Sequence, residues 1–295
     1  MIDLYKYIIE LNEGLLKGQN AHLAKDDASE LIITEWIKEH YRGMGPYEVE
    51  MSEALNIKHD WNDLSFRDEK TSDGKFIVDF KGNLEFYSSD RDKLKSLTND
   101  MFVWGNVDGS FTYNTYGGKL ETLEGAPMRV GRRFTCNGSG KLKTLEGAPE
   151  YVGGSFNCNV NKSLISLKGC PKHVGGHFSV AQCIKLKKLD YMPENIGSSI
   201  HLDHCKSLES LEGLPRVVNG NLYINGCVNL ESLKGCPVEI NGKFCFDNCK
   251  SLNSLDGMPK KVVGAVECKR CGNRFQKSEI RSRCQVGGVI DAYGK

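Results

Sequence analysis

The sequence lacks any run of about 18 apolar residues, so no helical membrane span is expected. It also lacks a basic-then-apolar leader. The stretch from Met1 to Glu10 carries Asp3 and Glu10, and no cleaved secretion signal is expected. No cysteine precedes Cys136, although the chain has 12. That argues against the disulfide-locked caps of secreted repeat proteins, and a reducing, cytoplasmic location is the expectation, with disulfides as the alternative. The motifs G-x-x-x-x-G-K-[ST], H-E-x-x-H and G-x-S-x-G are absent, which removes three familiar routes to catalysis. Nor is there an excess of charge: 39 Lys+Arg stand against 38 Asp+Glu, a net of +1, and 39% of residues are hydrophobic. Such a chain is too apolar and too balanced to be disordered.

The charge is unevenly spread. Residues 1–100 hold 21 acidic and 13 basic side chains, a net of −8, and the remainder nets +9. A basic excess of that size attracts polyanions in some proteins and is a solvated surface in most.

The back half repeats. Leucines fall at 120, 142, 164, 186, 208, 230 and 252, and again at 123, 145, 167, 189, 211, 233 and 255. Pro127, Pro149, Pro171, Pro193, Pro215, Pro237 and Pro259 follow in step. An apolar series completes the pattern: Phe134, Phe156, Phe178, Ile200, Leu222, Phe244 and Val266. Four ladders share a spacing of 22 residues over seven copies. Each copy reads roughly L-x-x-L-x-G-x-P-x-x-V-x-G-x-F-x-C-x-x-C. The alternation at Leu222 and Ile224 predicts a short half-buried strand. The Gly-x-Pro step predicts an irregular or 3₁₀-like return segment. One 22-residue turn cannot bury its own apolar side, whereas stacked turns can.

The pattern resembles the leucine-rich repeat, with its L-x-L strand and an N/C position three residues on. The short Gly-Pro form resembles repeats of tailed-bacteriophage and some bacterial proteins. The resemblance implies an α+β solenoid, a right-handed coil with one parallel β-sheet, a helical N-terminal region and a short C-terminal cap helix. It also implies a binding scaffold. Residues 120–271 form the seven regular repeats, and 76–119 read as degenerate first turns, where Leu84 and Phe111 mimic the strand marker. Residues 272–295 read as a C-terminal cap, with 277–283 as its helix and Phe275, Ile280 and Cys284 as the seal. Residues 1–75 read as a capping or docking region. Within it 1–45 are helical, on the stripe Leu4, Ile8, Leu11 and Leu15 and the stripe Leu31, Ile32, Trp36 and Ile37; 46–75 carry no assignable pattern. The opening stretch also resembles short leaders of phage proteins carried into the capsid, so a virion is a second expected location beside the host cytoplasm.

The cysteines invite a metal. Cys268 and Cys271 have C-x-x-C spacing and Cys284 follows, yet the repeat phase already dictates that spacing: Cys271 matches Asn161, Cys183, Cys205, Cys227 and Cys249. A structural zinc usually takes four ligands and only three are at hand. The expectation is buried sulfur with no metal or other cofactor; a site at Cys268, Cys271 and Cys284 is the alternative.

Side chains flanking the strand markers point outward. Their most distinctive region is His177, His201, Asp203, Tyr223, Asn225 and Asp247, the expected contact surface for a protein partner. A solvated face that only keeps the coil soluble is the competing reading. His201 and His204 lie three apart and so face opposite sides of a strand. Cys245 shares a column with His201 but lies two strands away, too far for direct proton transfer. The chain is thus expected to be a non-enzymatic scaffold that binds a protein. Two alternatives stand beside it. One is an uncharacterised activity in 1–75 with the repeats as substrate reader. The other is a polyanion or nucleic-acid binder using Lys185, Lys187, Lys188, Lys260 and Lys261, though nucleic acid is not the expected partner.

Overall fold

A computed structural model describes residues 64–86, 95–98, 102–114 and 117–293, together with Thr34 and the backbone of 41–44. The marker residues of successive turns stand side by side in parallel register, Leu84, Phe111, Phe134, Phe156 and Phe178 first. Ile200, Leu222, Phe244, Val266 and Ile290 continue the row. Ten parallel strands, from Asn83–Phe86 to Ile290–Asp291, so define a parallel β-solenoid of nine turns with little helix. An eleventh strand, Tyr41–Met44, pairs antiparallel with Asn83–Phe86 at the N-terminal end of this front sheet. That places 41–44, expected in a helix, in a strand. Thr34 is helical, and the remaining helical expectation for 1–45 lies outside the described residues.

The coil is held by identical side chains meeting at one level per turn. All fourteen ladder leucines are at most 1% exposed. Phe111, Phe134, Phe156 and Phe178 stack face to face, with centroids 5.7, 5.3 and 5.7 Å apart. Each such ring pair adds about 0.5–1.5 kcal/mol beyond the area it buries. The cysteines of the N/C position do more than fill space. The thiols of Cys183, Cys205, Cys227, Cys249 and Cys271 donate to the carbonyls of Cys158, Val180, Leu202, Ile224 and Phe246 in the preceding turn, at 3.2–3.4 Å. In the second copy Asn161 Nδ2 makes the same bond to Cys136 O at 3.0 Å. A buried carbonyl left unpaired is costly, so the position calls for any compact donor.

The single-sheet expectation needs correction. The residues after each proline are not irregular: they form two-residue strands such as Arg129–Val130 and Tyr151–Val152, which build a second face. This back face is split into a seven-stranded strip ending at Asn195–Ile196 and a four-stranded strip beginning at Val217–Val218. A Pro lacks only its own N–H, so pairing resumes one residue later.

The residue at the corner between the two faces changes at the split. Gly131, Gly153, Gly175 and Gly197 occupy one position in four successive turns. A Cβ there would come within 2.0–2.2 Å of the carbonyl oxygen one turn back. The next turn carries Asn219, and there Asn195–Ile196 and Val217–Val218 are not paired; Asn241 and Val263 hold the same position inside the four-stranded strip, where pairing resumes. The Asn219 amide Nδ2 takes over the bond to Ile196 O at 3.0 Å that a backbone N–H makes elsewhere, as from Gly197 to Val174 O at 2.8 Å.

The ends differ from the middle. On the back face Leu64–Lys70 runs antiparallel to Phe76–Phe80, tied by a two-bonded Arg67–Asp79 fork at 2.8 Å each. At the far end the helix Lys277–Arg283 sets Ile280 into the core, with Phe275 and Cys284 buried beside it. The segment expected to be only a cap then goes on coiling: Gln285–Val286 joins the back strip, and Ile290–Asp291 the front sheet.

Candidate functional site

Three columns of side chains cover the front sheet, and two of them are occupied by the backbone. In one column Asn83, Ser110, Ser155, His177, Ser199 and Asn221 each accept the N–H of the residue at the same position one turn on, at 2.7–3.3 Å. In the opposite column Asn137, Asn159, Asp203, Asn225 and Asp247 do likewise. Asp203 Oδ1 accepts both the backbone and the side-chain amide of Asn225, at 3.0 and 2.8 Å. The richness in Asn, Ser and Asp therefore has a structural cause. A short acceptor at most levels closes hydrogen bonds that a single short strand leaves open.

The middle column runs Thr135, Asn157, Ser179, His201, Tyr223, Cys245 and Glu267. It is less open than alternation alone suggests: Thr135 and Ser179 are 7% exposed and Cys245 only 3%. Here the rings gather. His177 meets His201 edge to face at 5.8 Å, and His201 stacks on Tyr223 at 4.7 Å with 20° between planes. Asn221 Nδ2 donates to the Tyr223 hydroxyl at 2.9 Å and fixes the far ring. Burial, helped by the repulsion of His177, outweighs the attraction of Asp203 and lowers the His201 pKa from its ordinary 6.5, so the imidazolium is disfavoured.

No protein-family model matches this chain, and no curated protein or solved structure does. What the face does is read from its own geometry.

Of the six residues singled out from the sequence, His177, His201 and Tyr223 come together as one ridge. Asp203, Asn225 and Asp247 line its flank but are engaged by backbone amides. Cys245 closes the ridge, its thiol donating to Glu267 Oε2 at 3.5 Å. Burial, then Glu267, pushes that thiol up to about 12, so it stays protonated and a poor nucleophile near neutral pH. His204 sits apart, exposed at a left-handed corner with φ of 59°, so it does not pair with His201. Among the described residues no group of three or more His, Cys, Asp or Glu is arranged to hold a metal ion, Cys268, Cys271 and Cys284 included. Of the five lysines of the polyanion alternative, Lys187 is paired with Glu209 at 2.9 Å and Lys261 with Glu239 at 2.7 Å. The N-terminal enzymatic alternative rests mostly on residues outside those described. No helix among the described residues is long and apolar enough to cross a membrane.

Sequence reasoning missed a second ring row, on the back face. The Arg129 guanidinium lies 4.1 Å from the centre of the Tyr151 ring, which stacks on His173 at 4.7 Å and 3°. Its signal was available: the three residues are 22 apart. Assigning that segment to an irregular return hid it.

Proposed function

We propose that this chain is a non-enzymatic scaffold of the leucine-rich-repeat kind that binds another protein through the front face of its coil. The resemblance of the repeat to leucine-rich repeats of bacteriophage type supports the scaffold reading, with the buried L-x-x-L ladders and the donor at the N/C position as its physical counterpart. The observation that carries the docking reading is the His177–His201–Tyr223 ridge. Its rings are already ordered by their neighbours, so a partner meets preorganised aromatic area and less side-chain entropy is lost on contact. The Asn, Ser and Asp columns on either side form a polar rim whose acceptors are satisfied without the partner.

The test is affinity capture from the native host with identification by mass spectrometry, using wild type and the double variant His201→Ala with Tyr223→Ala. The expected outcome is loss of the captured partner with an unchanged circular-dichroism spectrum. Equal capture by both proteins sinks the assignment of the ridge.

A further inference from the structure

Five of the six acceptors in the His177 column are Ser or Asn, which accept at any pH. His177 is the exception. Its Nδ1 takes the Ser199 N–H at 3.3 Å, so the neutral ring carries its proton on Nε2. A second proton can go only to Nδ1, and the acceptor then becomes a donor facing another donor. The same event puts a positive charge on the ring that abuts His201, 5.8 Å away.

We propose that this row is an acid-sensitive latch. Protonating His177 turns its Nδ1 from an acceptor into a donor, releases the Ser199 amide and sets a positive charge against the His201 ring, so that the ridge loosens and lets go of its partner in acid. The release of a partner rests on the docking reading given above; the loosening of the ridge does not.

Few other charges interfere. On its own strand His201 faces Asp203, whose Oδ1 is already held by Asn225. The following turn brings Tyr223 against its ring, and the preceding turn brings His177. His177 itself has Ser155 before it and Ser199 after it in its column, neither of which titrates. Arg133 lies two turns back in that column, and Lys243, Cys245 and Glu267 lie beyond Tyr223. Desolvation of His201 works in the same direction as the geometry: the folded chain resists its second positive charge more than the unfolded chain does.

Amide exchange measured by NMR on the free, full-length protein from pH 8 to pH 5 tests the latch without any partner. The Ser199 amide is expected to shift along a histidine titration and to lose about tenfold in protection factor, after correction for intrinsic exchange. His177→Asn keeps an acceptor of the type Asn221 supplies and removes the titration, so Ser199 protection becomes flat with pH. If that variant does not fold, His177→Ser, which copies the turns on either side, takes its place. Constant Ser199 protection down to pH 5 in wild type overturns the latch, and so does an undiminished pH dependence in the variant. Failed partner capture beside a positive titration removes the docking reading alone.

Discussion

At the scale of single residues, the chain uses chemistry that usually signals reactivity for structural ends. Ten of its cysteines sit at repeat positions and all 12 are free thiols, most of them buried. Burial pushes the thiols of Cys205 and Cys249 up to about 12 and those of Cys271 and Cys284 to about 11. A raised thiol pKa means little thiolate at pH 8, and thiolate is what reacts. The expected outcome with an aromatic disulfide reagent at pH 8 is slow, partial labelling of the native protein and 12 equivalents once it is unfolded in denaturant. Rapid labelling of many thiols in the native state contradicts the buried donor column. The linked effect of His201 on stability has a definite sign. Its pKa is lowered on folding, so its contribution is intact above about 6.5 and is lost as pH falls through the folded-state value.

At the scale of elements, the two faces answer to different rules. The front strands pair through all nine turns because the apolar markers repeat without interruption, with short acceptors beside most of them. The back face changes its corner residue along the coil, from glycine at Gly131, Gly153, Gly175 and Gly197 to Asn219, Asn241 and Val263 in the four-stranded strip. Gly175 lets the chain pass at a distance that would put a Cβ 2.0 Å from Gly153 O. Gly175→Ala is expected to cost about 1–3 kcal/mol, as overpacking does. It should also open the back strip beside Tyr151–Val152, where the Gly175 amide bonds Val152 O. Urea unfolding measures the cost, and exchange of the Gly175 amide reports the opening. An unperturbed strip and midpoint would show that this corner admits a Cβ after all. The split was not legible in advance: the corner residues are plain in the sequence, but whether the backbones of adjacent turns come close enough to pair is set by the tertiary structure.

At the scale of the whole molecule, stability is shared between neighbouring turns, because each ladder side chain packs on the one before and the one after. Leu208 lies mid-coil with no exposure. Leu208→Ala is expected to cost about 2–5 kcal/mol in urea unfolding, since the turns on either side are held apart by their own ladders and cannot collapse into the cavity. A loss within error would mean that the leucines do not share one spine. The sequence by itself determined the period, the inward ladders and the candidate ridge residues. A repeat copies the same apolar side chain to the same level of every turn, and burial then follows from stacking. Only the tertiary structure decided which polar residues were engaged. Asp203, Asn225 and Asp247 read as surface in the chain, yet each holds an amide 22 residues away. The antiparallel strand at 41–44, the second face and its split were likewise settled by pairing across turns. Such pairing depends on how closely two backbones approach, which no single turn's residues specify.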